Sequence, residues 1–433
     1  MTWERAPVTD RVGVVGLSHL GLVSSACLAA AGVPVTAVDG DARLVSSIAA
    51  GTLPVHEPGL ASLLAAGRPT LTDDYALLAS CTVVVIAVDT LTDERNRSDL
   101  SPLDAHVERL LPHLGPRATV ALMSQVPVGY TRELATRFRT RRPDWRGELY
   151  YWVETLVIGD AVRRYQNPER IILGARSGDF EPTPALASLL RRFACPVFRM
   201  NYETAELTKA AINFYLAAAV TYANTLADLC EATGASMRAM LPALRSDARI
   251  GSFAYIRPGL GIAGGNLERD LVHLQTLADK HGIESSLLHA IVDHSAARHR
   301  WLRSALERHL LTGGRPRIAL WGLAYKKNTR STKNSAAVRL LEDVRGRATV
   351  VAYDPAVSEA PLPDVQLAPT AAAALDGAAG LVIATDWDEF ATIDPHVIRD
   401  QLRVPVVIDA VGALDLGRAR AAGLTCVAIG EGA

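Results

Sequence analysis

The order of strand-like and helix-like segments along the chain is the feature that most constrains its fold. Over about the first 200 residues, short runs rich in β-branched residues alternate with Ala- and Leu-rich helical stretches. The runs predicted to be buried strands are Val12–Gly16, Pro34–Asp39, Thr82–Val88, Ala118–Met123 and Ile171–Gly174. Such apolar strands, separated by helices, are typical of a parallel, doubly wound sheet.

The alternation stops in the middle of the chain and then returns. From Tyr202 to about Leu310 we predict long helices, such as Glu203–Thr233 and Ser285–Leu310, and no strand. Further strands are predicted at Arg317–Trp321, Ala348–Tyr353, Gly380–Thr385 and Val404–Asp409. We therefore expect an α/β protein in which two Rossmann-like domains, residues 1–200 and 311–433, flank a central all-helical region, residues 201–310.

Charge and cysteine usage narrow the class of protein. The chain has 433 residues, of which 45 are basic and 46 acidic, and no long run carries a single sign, which argues against nucleic acid or a membrane surface as partners. Its five cysteines are scattered without a C-x-x-C pair, which favours reduced thiols over disulfides or a metal site. No apolar run reaches about 18 residues, and the first residues lack a signal-peptide core. We expect a cytoplasmic protein.

A glycine-containing turn after the first predicted strand indicates a dinucleotide site. Gly16-Leu-Ser-His-Leu-Gly21 is a near match to G-x-G-x-x-G, with Ser18 at the middle glycine. Small residues let backbone N–H groups at a helix start approach a pyrophosphate, although glycines also occur in such turns for packing. Asp39 ends the next predicted strand, where a carboxylate would bind the adenosine ribose and favour NAD over NADP. Alternatively, Asp39 caps a helix at Ala42–Ala50.

Longer motifs follow in a fixed order over most of the chain, and together they carry a resemblance. They are Gly51–Leu60 (similar to G-x-x-P-x-x-E-P-G-L), Val126–Gly129 (V-P-x-G), Glu154 to Arg170 (P-E-F-L-R-E-G-x-A with a later P-D-R), Ala205–Lys209 with Asn213 (A-E-L-x-K-x-x-x-N), Arg249–Gly251 (R-I-G), Gly322–Lys326 and Ala384–Phe390. In these segments the chain resembles the UDP-glucose and GDP-mannose dehydrogenase family. The resemblance implies NAD-dependent oxidation at carbon 6 of a nucleotide-linked sugar.

The resemblance also implies roles for individual residues. Lys209 would stabilise the developing alkoxide, and Asp270 would relay the proton, directly or through water. Asn213 lies four residues after Lys209, on the same helical face, and would orient the water or alcohol. In the family, the glutamate at the position of Glu154 assists the acyl intermediate. Without the thiol, two roles for Glu154 stay open, a structural one and that of a base for another proton. The alternative for Lys209 and Asp270 is that they are exposed charges.

Further contacts are implied by position in the matched motifs. Cofactor contacts are implied for Gly16, Ser18, His19, Leu20, Gly21, Asp39, Val88, Gln125 and Lys326. Substrate contacts are implied for Leu156, Arg249, Tyr255, Gly261 and Gly264. In the family the arginine of R-I-G reaches the sugar site of a neighbouring subunit, so the resemblance implies a homodimer, and no metal is implied.

One position departs from the family in a way that changes the expected chemistry. The segment Pro258–Asp270 resembles the active-site loop G-x-G-F-G-G-S-C-F-P-K-D, and Asn266 stands where the family has its nucleophilic cysteine. A carboxamide nitrogen has no free lone pair and cannot form the thiohemiacetal of the second oxidation. Other departures are Gln125 for threonine, Ile158 for glutamate, Glu268-Arg269 for P-K, Arg330–Asn334 for D-D-x-R-E and Val411 for arginine.

These observations lead to a hypothesis of a single oxidation. We predict that the protein removes one hydride from carbon 6 of a UDP- or GDP-linked sugar, with a secondary alcohol giving a ketone as the favoured reaction. The analogy in chemistry is the family member that acts on a GDP-linked octose in lincosamide antibiotic biosynthesis, although no motif peculiar to it is matched. Three alternatives stay open: release of a free 6-aldehyde, oxidation to a uronic acid through a hydrate, and a catalytically silent homologue that binds nucleotide sugars.

Overall fold

The structure is a computed structural model that describes residues 10–432. The prediction that the chain start lacks a signal-peptide core concerns residues outside this range. The chain divides into two compact units, one ending at Ala211 and the other beginning at Ile212. Within residues 10–432, none of the helices is both long and apolar enough to cross a lipid bilayer.

The first unit is built on an eight-stranded sheet. Its strands are β1 (Val12–Val15), β2 (Val35–Val38), β3 (Thr70–Thr72), β4 (Val83–Ile86), β7 (Thr119–Leu122), β8 (Leu149–Trp152), β9 (Ile171–Ala175) and β10 (Val197–Asn201), and a separate hairpin is formed by β5 (Leu91–Thr92) and β6 (Ser98–Asp99). The order across the sheet is β10-β9-β8-β7-β4-β1-β2-β3. Because the order reverses between β1 and β4, their carboxyl ends form the crevice in which α/β proteins of this kind bind ligands.

Helices cover the sheet and bury its apolar strands. They are α1 (His19–Ala30), α2 (Ala42–Ala49), α3 (Leu60–Gly67), α4 (Ser101–Leu110), α5 (Tyr130–Arg141), α6 (Ala161–Gln166), α7 (Pro184–Leu190) and α8 (Tyr202–Thr233), with 3-10 turns at Tyr75–Ser80 and Leu111–His113. Residues 20–29 of α1 are all buried, since α1 packs against α3 and α6 as well as the sheet. This explains why α1 has no polar face.

The predicted doubly wound sheet is confirmed, and the structure adds strands that the sequence pattern did not reveal. Of the added strands, β3 and β10 form the two edges of the sheet, and β8 lies between β7 and β9. Strand β8 pairs with β9 in antiparallel orientation through Tyr151 and Trp152, whereas the other ladders of this sheet are parallel. The sheet is therefore mixed at one edge, an arrangement that is common in large α/β sheets.

The second unit begins with helices. After the later part of α8 come α9 (Met237–Ser246), α10 (Asn266–His281), α11 (Ser286–Arg298) and α12 (Arg300–His309). The helix predicted for Ser285–Leu310 is two helices, α11 and α12, separated at His299. A small apolar cluster that includes Ala217, Leu271 and Ile291 joins α8, α10 and α11.

The second unit continues with a six-stranded parallel sheet. Its elements are β11 (Arg317–Trp321), α13 (Ala336–Asp343), β12 (Thr349–Tyr353), β13 (Gln366–Leu367), α14 (Ala371–Leu375), β14 (Gly380–Ile383), α15 (Asp388–Thr392), α16 (Pro395–Gln401), β15 (Val406–Asp409), α17 (Leu416–Ala421) and β16 (Thr425–Ala428). The order β13-β12-β11-β14-β15-β16 reverses between β11 and β14. This is the strand order of a Rossmann fold and confirms the prediction of a second Rossmann-like sheet.

Candidate active site

The turn between β1 and α1 lies at the carboxyl end of a central strand. Gly16 adopts a φ of +98°, a conformation that favours glycine. A Cβ atom added to Gly21 would lie 1.8 Å from the carbonyl oxygen of Gly16, so a side chain cannot fit there. The predicted glycine positions are thus required by the close packing of the turn against the first turn of α1.

Ser18 and the start of α1 leave the helix N-terminus suited to an anion. The hydroxyl of Ser18 accepts a hydrogen bond from the Asp89 backbone N–H at 3.0 Å. Ser18 is at the N-cap position of α1, but its side chain makes no capping hydrogen bond, and the first turn, which includes His19 and Leu20, carries no acidic residue. No acidic side chain of that turn therefore competes for its backbone N–H groups. Such a helix start suits the pyrophosphate of a dinucleotide.

Asp39 holds the same turn from the neighbouring strand. Asp39 is 8% exposed, and its Oδ2 accepts from the Leu17 backbone N–H at 2.8 Å. The alternative that Asp39 caps the following helix is wrong, because Asp41 is the N-cap of α2 and accepts from two N–H groups of its first turn. Arg109, which sequence reasoning missed, donates to the carbonyl of Gly40, the residue after Asp39, at 3.1 Å.

Two loops that follow adjacent strands are tied together at the same edge of the sheet. The Val88 backbone N–H donates to the Ser124 hydroxyl at 2.9 Å. The Thr90 hydroxyl donates to the Gln125 carbonyl at 2.7 Å. Val88 and Gln125, both predicted cofactor contacts, are therefore buried where the β4 and β7 carboxyl ends meet.

Glu154 lies in the turn after β8 and is engaged by its own segment. Its carboxylate accepts a hydrogen bond from the Leu156 backbone N–H. Leu156 is half-buried and packs against the main apolar core of the first unit. The structure thus gives Glu154 a structural contact, whereas a role in chemistry stays a prediction.

Lys209 lies in the second turn of α8 and is 8% exposed. Nearby Glu206 anchors the helix, because its carboxylate accepts from the backbone N–H groups of Gly129 at 2.6 Å and Thr131 at 2.8 Å. Among the described residues of the first unit, the Lys209 ammonium has neither a hydrogen bond nor an ion pair. The alternative of an exposed surface charge is therefore wrong for Lys209.

The second unit pairs a buried carboxamide with a buried carboxylate. Asn213 Nδ2 donates to Asp270 Oδ2 at 2.5 Å, which joins α8 to α10. Asp270 is 1% exposed, with Arg269 Nε at 3.8 Å and His273 Nδ1 at 4.0 Å from Oδ1. The pKa of His273 is lowered, chiefly by burial and also by the positive charge of Arg269, and the negative charge of Asp270 offsets this only in part. Asp270 is thus a buried carboxylate and not an exposed charge.

Asn266 is the first residue of α10 and is exposed. Gly265 precedes it with a φ of +93°, and Glu268 accepts from the Gly265 backbone N–H at 3.0 Å. Asn334 in turn donates to the other oxygen of Glu268 at 3.1 Å. Glu268, which replaces the family's proline, thus caps α10, the helix that begins with Asn266.

The preceding loop is fixed by contacts that sequence reasoning missed. Asn224 accepts from the Gly259 N–H at 2.8 Å, and Arg298 donates to the Gly259 carbonyl at 3.0 Å. The Ser295 hydroxyl accepts from the Ile262 N–H at 2.8 Å. These donors and acceptors come from α8 and α11, so no local sequence signal points to them.

Two predicted substrate positions in that loop are glycines in close packing. A Cβ atom on Gly261 would lie 2.9 Å from the Ser295 hydroxyl, and one on Gly264 would lie 2.5 Å from the ring of Tyr325. Lys326, whose ammonium lies 5.6 Å from that ring centroid, belongs to the same marker segment. The active-site loop and the segment after β11 thus meet at Gly264.

The remaining predicted substrate positions lie at the surface of the second unit. Arg249 has an 89% exposed side chain and pairs with Asp247 at 2.7 Å. Tyr255 is 53% exposed, and Phe253, between them, is 99% exposed. The Arg249 guanidinium is thus held by its own segment and points away from the core.

Comparison with known proteins identifies the family. Models of the UDP-glucose/GDP-mannose dehydrogenase family match in order: the NAD binding domain at residues 10–193, the central domain at 203–296 and the UDP binding domain at 319–416. The chain belongs to this family. The UDP-glucose 6-dehydrogenase of Pseudomonas aeruginosa is 32% identical over 428 residues, covering 92% of both chains. The UDP-glucose 6-dehydrogenase AglM of Haloferax volcanii is 32% identical, covering 92% of this chain and 96% of its own.

Solved structures agree with this family assignment. The UDP-glucose dehydrogenase from Pyrobaculum islandicum superposes with a TM-score of 0.86 at 26% identity and covers 99% of both chains. The protein is therefore an NAD-dependent oxidoreductase of the nucleotide-sugar dehydrogenase family. The turn Gly16–Gly21 and the Asp39 carboxylate fit the NAD that this family requires, as argued above from their packing.

In this family member, none of the thiols is suited to nucleophilic attack. Cys27, Cys81 and Cys230 are buried, whereas Cys195 and Cys426 are half-buried. Burial raises the pKa of all five thiols, that of Cys27 to about 12. A nucleophilic cysteine needs its thiolate form near neutral pH, so these residues do not replace the missing one.

Proposed function

We propose that this nucleotide-sugar dehydrogenase oxidises its substrate once, at carbon 6, and releases a carbonyl product. One observation carries the proposal: the exposed first side chain of α10, at the position of the family cysteine, is the carboxamide of Asn266. A thiolate there would be favoured by the helix N-terminus, whereas a carboxamide offers no nucleophile. Since the pKa values of all five cysteines are raised by burial, no other thiol supplies one.

The residues for the first oxidation are proposed to be Lys209, Asn213 and Asp270. NAD supplies the acceptor for the hydride that leaves the alcohol carbon. The Lys209 ammonium stabilises negative charge on the alcohol oxygen as its proton leaves. Asp270 accepts that proton, directly or through a water that Asn213 orients with its carboxamide. The short contact between Asn213 and Asp270 supports this assignment, because it fixes the carboxylate in one orientation.

Cofactor contacts are proposed for the turn and loops at the carboxyl edge of the first sheet. The N–H groups at the start of α1 would bind the pyrophosphate, with His19 and Leu20 in that first turn. Asp39 would accept hydrogen bonds from the adenosine ribose. Val88 and Gln125 would line the nicotinamide side. For Lys326 the support is its position in the marker segment of the second unit.

A secondary alcohol is the proposed substrate group. Its oxidation forms one C=O bond and releases one hydride and one proton, and the ketone cannot be oxidised again without breaking a carbon–carbon bond. No nucleophile is then needed at position 266. A hexose has a primary alcohol at carbon 6, whereas a longer-chain sugar such as an octose has a secondary one. We therefore propose a UDP- or GDP-linked octose or similar sugar of antibiotic biosynthesis.

The test is the number of NADH molecules formed per sugar. The full-length protein is incubated with NAD and a panel of UDP- and GDP-linked sugars that includes longer-chain ones, and the products are analysed by mass spectrometry. We expect one NADH per sugar and a ketone. Two NADH and a uronic acid would contradict the proposal and indicate a hydrate mechanism, whereas one NADH and an aldehyde would indicate a primary alcohol. Tight nucleotide-sugar binding without turnover would indicate a silent homologue.

We further propose a homodimer in which Arg249 reaches the sugar site of the neighbouring subunit. The support is a set of exposed apolar side chains in the second unit. Tyr215, Tyr222 and Leu229 are 61%, 45% and 55% exposed and recur every seven residues along α8. Such a spacing places them on one helical stripe, where a second copy can cover them. Phe253, 99% exposed, follows the Arg249 segment and needs similar cover.

The division of labour along the chain is proposed as three parts. Residues 1–200 bind NAD, residues 201–310 carry the active-site loop and the dimer surface, and residues 311–433 bind the nucleotide. The matched family domains, residues 10–193, 203–296 and 319–416, support these boundaries. We also propose that the protein works in the reducing cytoplasm, a proposal supported by its five free cysteines.

A further inference from the structure

A buried carboxylate joins three separate segments of the first unit. Glu57 Oε2 accepts from His19 Nε2 at 2.8 Å and from the Gly159 backbone N–H at 2.8 Å, and Oε1 accepts from the Ala161 backbone N–H at 2.8 Å. The Glu57 side chain is fully buried. The segments it joins are the dinucleotide turn, the stretch before α3 and the turn that runs from Glu154 into α6.

The charge of this carboxylate needs compensation. A carboxylate that is removed from water is costly unless it is paired and hydrogen-bonded. Two of its three donors are neutral backbone groups, and His19 is the donor that can carry a compensating positive charge. Burial raises the pKa of Glu57, but the hydrogen bonds from His19, Gly159 and Ala161 outweigh it, and the net pKa is lowered.

The surroundings of His19 also favour its protonated form. Burial lowers the pKa of His19, but the hydrogen bond to Glu57 and the negative charges of Asp89, Glu57 and Glu154 raise it, and the net pKa is above its usual value. Asp89 follows β4, Glu57 lies before α3, and Glu154 follows β8.

The second ring nitrogen of His19 is available for a ligand. His19 is the first residue of α1, and its side chain is 13% exposed. Nε2 is taken by Glu57, and Nδ1 has no hydrogen-bond partner in residues 10–432. In an imidazolium both nitrogens donate, so Nδ1 offers a charged N–H beside the N–H groups of the helix start. That combination suits a phosphate oxygen.

We propose that Glu57 is a positioning residue that holds His19 as an imidazolium for the pyrophosphate of NAD and ties the dinucleotide turn to the turn after Glu154. The inference rests on NAD binding by the first unit and not on which sugar is oxidised. Its failure would therefore leave the proposed single oxidation untouched, since that is tested by the NADH count.

The arrangement makes the affinity for NAD depend on pH. The imidazolium is present below the pKa of His19 and is lost as the pH rises through it. The dissociation constant for NAD is therefore expected to increase with pH. Losing one charge-assisted hydrogen bond to a phosphate should weaken binding roughly tenfold, which corresponds to about 1.4 kcal/mol.

The experiment measures the dissociation constant for NAD by titration calorimetry on the full-length protein between about pH 6 and about pH 9. For the wild-type protein we expect the roughly tenfold increase with pH. In His19→Gln the affinity should be low and independent of pH, because glutamine can still donate to Glu57 but cannot titrate. In Glu57→Gln the midpoint of the pH profile should move to lower pH, which a merely structural role of Glu57 would not produce.

A second histidine near the cofactor site provides the matched control. His106 Nε2 lies 4.0 Å from the Asp39 carboxylate, and burial lowers its pKa. If the pH dependence survives in His19→Gln and disappears in His106→Gln, the proposal is wrong. An affinity that stays constant with pH in the wild-type protein would also overturn it. If Glu57→Gln does not fold, NMR titration of ¹⁵N-labelled His19 in the wild type supplies its pKa, and an ordinary value refutes the role of Glu57.

Discussion

Replacement of Lys209 by alanine tests the proposed alcohol chemistry most directly. Lys209 is 8% exposed in α8, and without its ammonium the alkoxide that forms on the substrate would lose one charged stabilising group. Removal of one oxyanion donor costs roughly 3 kcal/mol. Because each 1.4 kcal/mol corresponds to about a tenfold change in rate, kcat should fall about a hundredfold or more. Steady-state NADH absorbance with a turned-over nucleotide sugar measures this.

The same substitution should not destabilise the protein through the loss of charge. Within the first unit the Lys209 ammonium has no ion pair in the described residues, and burying such a charge opposes folding. A Lys209→Met variant keeps most of the apolar stem and removes only the charge. Its free energy of unfolding in urea should therefore equal or exceed that of the wild type, while its kcat falls as in Lys209→Ala.

NAD binding serves as the internal control for Lys209. The cofactor is proposed to bind the turn Gly16–Gly21 and Asp39, which belong to other elements, so its dissociation constant should stay unchanged in both variants. If Lys209→Ala and Lys209→Met turn over as fast as the wild type, the placement of the catalytic centre on α8 is refuted. A loss of activity that is matched by an equal loss of NAD affinity would refute it as well.

Three other outcomes are expected. Asn266→Cys should retain the first oxidation and gain at most slow further oxidation of a primary-alcohol analogue, which the NADH count per sugar measures; full conversion to acid by the wild type would contradict this. NADP should be used with far lower kcat/KM than NAD, because the Asp39 carboxylate repels a 2′-phosphate, at a cost on the order of several kcal/mol in a poorly solvated site; comparable efficiency would contradict the role of Asp39. Phe253→Asp should shift a micromolar dimer towards monomers in analytical ultracentrifugation. If the two subunits share a site, activity should fall both in Phe253→Asp and in Arg249→Ala. A wild-type monomer, or full activity in Arg249→Ala, would contradict this.

Local sequence patterns predicted the parts of the fold that depend on neighbouring residues. The apolar run Val12–Val15 followed by a glycine turn defines a buried strand and a helix start within about ten residues. The helix Glu203–Thr233 was predicted to within one residue of α8, because a long helix repeats its signal over many turns. The strands at Gly380–Ile383 and Val406–Asp409 were predicted because each is a short apolar run, and both are buried in the structure.

Features that depend on residues far apart in the chain could not be predicted from the sequence alone. The antiparallel pairing of β8 with β9 could not be predicted, because neither strand differs in composition from a parallel one. The contact between Asn213 and Asp270 joins residues 57 apart. Glu57 receives donors 38, 102 and 104 residues away, and its motif gave no hint of them. Family resemblance located Asn213 and Asp270, but it did not place Glu57 in any role.

The pattern of retained and replaced residues argues for a working enzyme with a shortened reaction. Lys209 and Asp270 are buried charges, and buried charges lower stability unless they are compensated. A protein that only bound nucleotide sugars would be no worse with apolar residues at these positions. Asn266, in contrast, is exposed, and its proposed effect is confined to the step that needs a covalent adduct. On the proposed assignment, the charged groups that an alcohol oxidation needs are therefore buried within the protein, and the nucleophile that it does not need is absent, which is the arrangement expected when the product is a ketone.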